Sequence, residues 1–336
     1  MTNETGRSKR PLTRHEEARQ RKSPGGGLME SQFIWLDGEL VPFEDATVHF
    51  LSPTLHYGAG IFEGIRCWNT ERGPALFRLH DHLTHFVDGI HILGFGRLAF
   101  GLDDLRMAVH RTVHANQFDN CYVRMLMYLQ GPLGLDLNAT EPTIGVAAWR
   151  WRNLPGTRTP EAGVRMMVSS LNHKHPNAGM SKARVSGKYV SAMLAKSFAM
   201  KAGFDEAAVL DADGHVVAGT SEDLAMVVNG QLIMTPAEAI VEGIVRDTVI
   251  TLAGDLGIPV REQRITRDQL YIADELFVCG TANGIVPIRE VDYRRVGTGR
   301  MGPITQQLQS AYLDTVHGKT ERSRAWLDYV MSEPLY

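Results

Sequence analysis

Cysteine is scarce: Cys67, Cys121 and Cys279 are all there are in 336 residues, widely separated and without a CxxC pair. Such spacing supports neither a disulfide framework nor a zinc site, and it suits a reducing cytoplasm. Missing too is any apolar run near the roughly 18 residues that a membrane helix needs, and the N-terminus lacks the hydrophobic core of an export signal. No charge of one sign dominates, since 35 Lys and Arg against 38 Asp and Glu leave a net charge of −3. Without a basic stripe there is no electrostatic footprint for nucleic acid, and a small-molecule substrate is the expected partner. The "HKHP" run, His173 to Pro176, has no carboxylate at a recognised spacing, so no metal is expected.

What is present is a 43% apolar composition, enough for a substantial core in about two domains. Residues 1–30 are polar, basic and end in a glycine run, the composition of a disordered arm. From Phe33, "FIWLDGELVPF" predicts two short strands around an Asp37-Gly38 turn. In "DHLTHFVDGIHIL" the positions Leu83, Phe86, Val87 and Ile90 share one face of an amphipathic helix. A second helix from about Asp103 precedes the strands "CYVRMLMYL" and "TIGVAAWRW". The Pro- and Gly-rich "NLPGTRTPEAG" places an interdomain linker at 156–160, between a small α+β domain at 31–155 and a larger one at 161–336. Beyond it come strands with Asp213-Gly214 and Asn229-Gly230 turns and a helix over "GIVRDTVITLAGDLG", with Val245, Val249, Leu252 and Leu256 on one side. Clustered strands with unevenly spaced helices predict an α+β fold with mixed sheets.

Several motifs then occur in one order: "HYGAGIFEGIR", "FRLHDHL", "CYVRMLMYLQG", "HPNAG", "LYIADELFVCGTANGIVPI" and "GRMGPITQQLQ". In these the chain resembles the branched-chain aminotransferases, class IV enzymes of pyridoxal phosphate (PLP) with fold type IV, the D-amino acid aminotransferase-like architecture. The resemblance runs from about Phe33 to Tyr329 and implies two domains and a homodimer or larger homo-oligomer.

Against that pattern, four positions tied to PLP differ. In a motif that reads roughly A-K-x-(S/G)-G-x-Y, whose lysine forms the Schiff base, this chain has Ala183-Arg184-Val185-Ser186-Gly187-Lys188-Tyr189. A guanidinium stays protonated above about pH 12 and has no free amine lone pair. His85 stands where the resemblance implies a phosphate-binding arginine, and Ala218 where it implies the glutamate that keeps the pyridine nitrogen protonated. Val245 replaces a threonine in the phosphate loop Gly243-Ile244-Val245-Arg246. The substrate side retains Tyr57, Phe62, Arg66, Tyr122, Arg124, Tyr189, Thr281 and Ala282.

These residues lead to the expectation of an enzyme with no cofactor, PLP being absent despite the family, that performs hydrolysis, elimination or condensation on a small carboxylated or amino-acid-derived substrate. Arg184, as a fixed cation, with His85 and Tyr189 would line the reaction centre. Tyr57, Phe62, Arg66, Tyr122, Arg124, Thr281 and Ala282 would place the substrate, with Lys182, Lys188 and Glu222 in auxiliary roles. For Arg184 the bland reading is an ion pair with Glu222 or another acid, and for the two lysines it is solvent exposure. Two alternatives stand beside it: a branched-chain transaminase using a displaced lysine, Lys182 or Lys188, and a non-catalytic binding subunit. On a strand Lys182 would share the face of Arg184.

Overall fold

A computed structural model describes residues 31–95, 98–151 and 163–331, so the expected arm at 1–30 and linker at 156–160 lie outside the described residues. In chain order the strands begin with β1 (Phe33–Leu36), β2 (Glu39–Pro42), β3 (Ile61–Thr70), β4 (Gly73–Phe77), β5 (Cys121–Gln130) and β6 (Glu141–Arg150). The second part supplies β7 (Val164–Asn172), β8 (Glu206–Leu210), β9 (His215–Ala218), β10 (Asp223–Val228), β11 (Gln231–Met234), β12 (Val260–Glu262), β13 (Ile265–Thr266), β14 (Glu275–Gly280), β15 (Gly284–Val291) and β16 (Arg294–Arg295). A last strand, β17 (Leu327–Tyr329), returns to the first part and pairs with β4. The result is a seven-stranded sheet in the order β17-β4-β3-β5-β6-β1-β2 and a ten-stranded sheet in the order β12-β11-β10-β14-β15-β7-β8-β9-β13, with β16 beside β15. Parallel pairs at β7–β8, β7–β15 and β11–β12 make the second sheet mixed, as an α+β fold requires.

Local chemistry explains the turns. Asp37 and Gly38 have φ of 47° and 108°, and Asn229 and Gly230 have 50° and 77°. Two consecutive positive φ values match the right-handed twist of the flanking strands, and Asp-Gly and Asn-Gly reach them at least cost. Five longer helices cover the sheets: α1 (Leu79–Ile92), α2 (Leu102–Ala115), α3 (Tyr189–Lys201), α4 (Ile244–Asp255) and α5 (Pro303–Val316).

Alternation along the strands assigns each face. Cys121, Val123, Met125, Met127 and Leu129 of β5 join Leu83, Phe86 and Ile90 of α1 and Val109 and Val113 of α2 in one core. Tyr122 and Arg124, one residue out of phase, face the other way, into a cavity. In the second sheet Ala225, Val227, Phe277 and Cys279 pack under α4 and α5, whereas Leu224, Met226, Leu276 and Val278 fill a separate core. Ala75, Phe77 and Leu327 of the first sheet share the core beneath α4 and α5, so apolar burial joins the two sheets. Leu256, expected on the buried side of α4, is 44% exposed because it lies just past the last helical residue. Cys67 and Cys121, distant in the chain, stand opposite each other across β3 and β5 as free thiols.

Two buried carboxylates organise helix ends and strands. Glu275 of β14 accepts the N–H of Ile304 at 3.0 Å, and both the N–H and hydroxyl of Thr305, at 2.7 and 2.6 Å, at the start of α5. It thus satisfies donors that the first turn leaves free and sets a negative charge at the positive end of the helix. Glu63, on the helix-facing side of β3, accepts from His82 Nδ1 of α1 at 3.0 Å and forms an ion pair with Arg184 Nε at 3.0 Å. Burial alone would raise the pKa of Glu63, but Arg184 and then His82 outweigh it and hold the carboxyl at about 2.

Glu275→Ala is expected to destabilise the fold by about 3 kcal/mol, from lost charge-assisted hydrogen bonds, and Glu275→Gln by about half of that, both read as shifts of the urea midpoint. Glu63→Gln leaves Arg184 without its counter-charge and should cost about 3 kcal/mol at neutral pH. A depressed carboxylate stabilises the fold above its unfolded pKa and loses that contribution as the pH falls toward the folded value. The stability gap between wild type and Glu63→Gln is therefore expected to close between the ordinary value of 4.5 and about pH 2, as measured by denaturation across that range.

Candidate active site

The segment carrying Arg184 is not a strand but a tight loop laid along the chain before β3. Ser186 N–H donates to Gly60 at 2.8 Å, Gly187 N–H to Gly58 at 2.9 Å, and Phe62 N–H to Arg184 at 3.2 Å. Gly58 and Gly187 allow this approach, since a Cβ on Gly58 would lie 2.7 Å from Gly187 Cα. With the segment pinned in this way, Arg184 projects into the cavity and meets Glu63. Its ion pair is thus with an acid of β3 and not with Glu222. Burial would lower the pKa of Arg184, but Glu63 and the Tyr189 hydroxyl outweigh it and hold the guanidinium above its ordinary value. Because the segment is not extended, Lys182 does not share the face of Arg184. It turns outward, with Nζ donating to Ala237 at 2.9 Å and Glu242 at 3.0 Å.

The cavity encloses about 940 Å³ where β3, β5 and β6 meet the loops of the second part. Phe62, Tyr122, Trp149 and Trp151 form an aromatic wall, with Tyr122 stacked on Trp151 at 4.9 Å and tilted against Trp149 at 5.2 Å. Gly64 keeps this wall flat, because a Cβ there would overlap the Tyr122 hydroxyl. Arg124 lies over Phe62 at 4.4 Å and Tyr122 at 5.4 Å, and it pairs with no acid among the described residues. A guanidinium over aromatic rings, facing a cavity and without a counter-charge, is chemically able to receive a carboxylate.

Opposite lie an amine and two acids. Lys188 Nζ donates to Ala183 at 3.1 Å and Met180 at 3.2 Å, and its stem packs on Gly179. Burial, then the charges of Lys174 and Arg184, bring its pKa down to about 8, where a useful fraction of the amine is neutral. Glu222 accepts from Asn283 at 2.8 Å, and burial followed by the charge of Glu206 raises it to about 7. Asp223 beside it is raised by burial to about 6. Gly243, Ile244 and Val245, at the start of α4, complete that side.

The structure thus brings Arg184, Lys188, Tyr189, Phe62, Tyr122, Arg124, Glu222, Thr281, Ala282, Ala218 and Val245 to one cavity. It leaves out four expected residues. Arg66 is buried behind the wall, donating to Ala282 and Asn120 at 3.0 Å each and stacked on Trp68. Tyr57 is 48% exposed outside the cavity lining. Lys182 points outward, and His85 lies near Glu63 and Arg184 outside the cavity lining, where burial lowers its pKa. Sequence reading passed over Glu63 and Trp149, although both lie in quoted motifs, because which face a strand residue takes depends on its pairing register.

The family model "Amino-transferase class IV" matches residues 60–291. The branched-chain-amino-acid aminotransferase of Pseudomonas aeruginosa is 40% identical over 294 residues, 87% of this chain and 95% of that protein. A T.th. branched-chain amino acid aminotransferase complexed with N-(5′-phosphopyridoxyl)-L-glutamate superposes with a TM-score of 0.86 at 39% identity, covering 90% of this chain and 99% of the other. The same T.th. enzyme with pyridoxamine 5′-phosphate gives 0.86 at 38% identity over the same shares. These relatives overturn two expectations, PLP-independent acid–base chemistry and the absence of a cofactor. That inference counted four changed anchors as four lost functions, yet the cavity wall still offers an amine, a fixed cation and a helix N-terminus. The match over most of its length makes this chain a member of the class IV aminotransferase family, alongside the branched-chain aminotransferases.

Proposed function

We propose that the chain is a PLP-dependent branched-chain transaminase in which Lys188 supplies the amine that the relatives' motif places four residues earlier. The observation that carries this is the location of the Lys188 amine, with its pKa near 8, in the same cavity as Arg124 and Tyr189. The lining suits a phosphorylated pyridine: Gly243, Ile244 and Val245 present the N-terminus of α4 to a phosphate, and Arg184 adds a fixed cation. Ala218 offers the pyridine nitrogen no acid, so Glu222 is the carboxyl group of that side available to it. When bound, PLP supplies an electron sink that weakens the substrate's Cα–H bond and carries the amino group.

The chain's own residues do the rest. Arg124 binds the carboxylate of the amino acid or 2-oxo acid, and the faces of Phe62, Tyr122, Trp149 and Trp151 exclude water and accept an apolar side chain. Lys188, neutral in part near pH 8, takes and returns a proton. Tyr189 is oriented by its hydrogen bond with Arg184 and by its ring contact with Phe62 at 4.7 Å. A homodimer or larger assembly suits the exposed Phe50, Leu55, Val190 and Met193. Three free cysteines suit the cytoplasm, and no described helix is long and apolar enough to cross a membrane.

Mixing the purified protein with PLP, reducing with borohydride and mapping the modified peptide by mass is expected to place one phosphopyridoxyl group on Lys188. Lys188→Ala should lose the adduct while Lys182→Ala keeps it, and a chain left unmodified in all three would sink the reading. Arg124→Gln is expected to raise KM for the 2-oxo acid about 10- to 100-fold with a smaller effect on kcat, as measured by amino-transfer kinetics.

A further inference from the structure

Asp223 opens β10 with its carboxylate pressed against Gly243, the residue that caps the N-terminus of α4. Gly243 has φ of −67°, which any residue adopts, so glycine is there for space: a Cβ would collide with Asp223 Oδ2. Asp223 is only 8% exposed, and among the described residues its carboxylate receives no hydrogen bond except from its own N–H. The N–H groups of Ile244, Val245 and Arg246 likewise find no acceptor among the described residues. An anion receptor at a helix N-terminus thus has a buried, nearly unpartnered carboxylate aimed into it.

We propose that Asp223 is a proton-gated determinant of cofactor affinity: ionised, it repels the phosphate from the N-terminus of α4, and protonated, it donates a hydrogen bond to that phosphate. The proposal rests on the preceding reading only in requiring that a phosphorylated pyridine enters the cavity. Groups facing the carboxyl divide in sign. Arg246 of α4 and Arg184 of the loop before α3 favour the charged form, while Glu242, its neighbour Glu222 and the buried Cys279 of β14 disfavour it as they ionise. Burial is the largest influence and brings the carboxyl to about 6, so the gate lies in the range where a phosphate ester itself becomes a dianion.

Pyridoxine 5′-phosphate tests this without involving Lys188, because it has the ring and the phosphate but no aldehyde. Calorimetric titration of the full chain is expected to show Asp223→Asn binding about tenfold more tightly than wild type at about pH 8, the effect of one like charge removed. At about pH 5 the two should converge, since wild type is then protonated. The ligand's own ionisation changes the repulsion only where residue 223 carries a charge, so a difference between the two proteins still requires Asp223. Asp223→Ser supplies a second uncharged variant if the first fails to fold. Equal affinities at about pH 8, a gap unchanged with pH, or no binding by any variant would overturn the proposal. A tenfold gap alongside a missing Lys188 adduct would sink the transaminase reading alone, and an adduct without the gap would sink this one alone.

Discussion

The pair formed by Arg184 and Glu63 is the contact on which the site depends. A carboxylate 1% exposed on the helix side of β3 is tolerable only with a counter-charge, and His82 by itself offers a weak one. Arg184 supplies that charge from a loop pinned to Gly58, Gly60 and Phe62, so one ion pair ties β3, α1 and the approach to α3 together. It also fixes where Arg184 sits. Arg184 is fixed in the wall by its pair with Glu63, whereas Arg124 pairs with no acid among the described residues.

The two sides of the cavity differ in how they are built. On the first sheet, strand alternation delivers Phe62, Gly64, Tyr122 and Arg124 to one face, and the pairing of Gly64 with Arg124 and of Arg66 with Tyr122 sets their spacing. That face is rigid because its reverse is the core under α1 and α2. On the second part the groups come from loops and element ends: Lys188 before α3, Glu222 and Asp223 at the start of β10, Gly243 before α4. Loop ends tolerate exchange of residues better than core strands do.

Much of the fold was legible beforehand. Asp37-Gly38 and Asn229-Gly230 announce hairpins because few other pairs accept two positive φ values, and the spacing of Leu83, Phe86 and Ile90 announces the buried face of α1. Less legible was the direction of individual side chains. Arg66 and Arg124 look equivalent in their motifs, yet Arg66 is consumed by Ala282 and Asn120, from distant parts of the chain, and by Trp68 two residues along its own strand. The expectation that altered anchors meant no cofactor failed for a similar reason, since it judged positions singly and a cavity recruits groups from several loops.

By itself, the amino-acid sequence determined the family, the α+β class, the hairpins and the amphipathic helices, all of which rest on local conformational preference and short-range periodicity. Only the tertiary structure decided that Lys188 faces the cavity while Lys182 faces away, that Glu63 claims Arg184, and that Asp223 stands at the N-terminus of α4. Those outcomes depend on which elements lie side by side, and burial and charge act through space, without regard to separation along the chain.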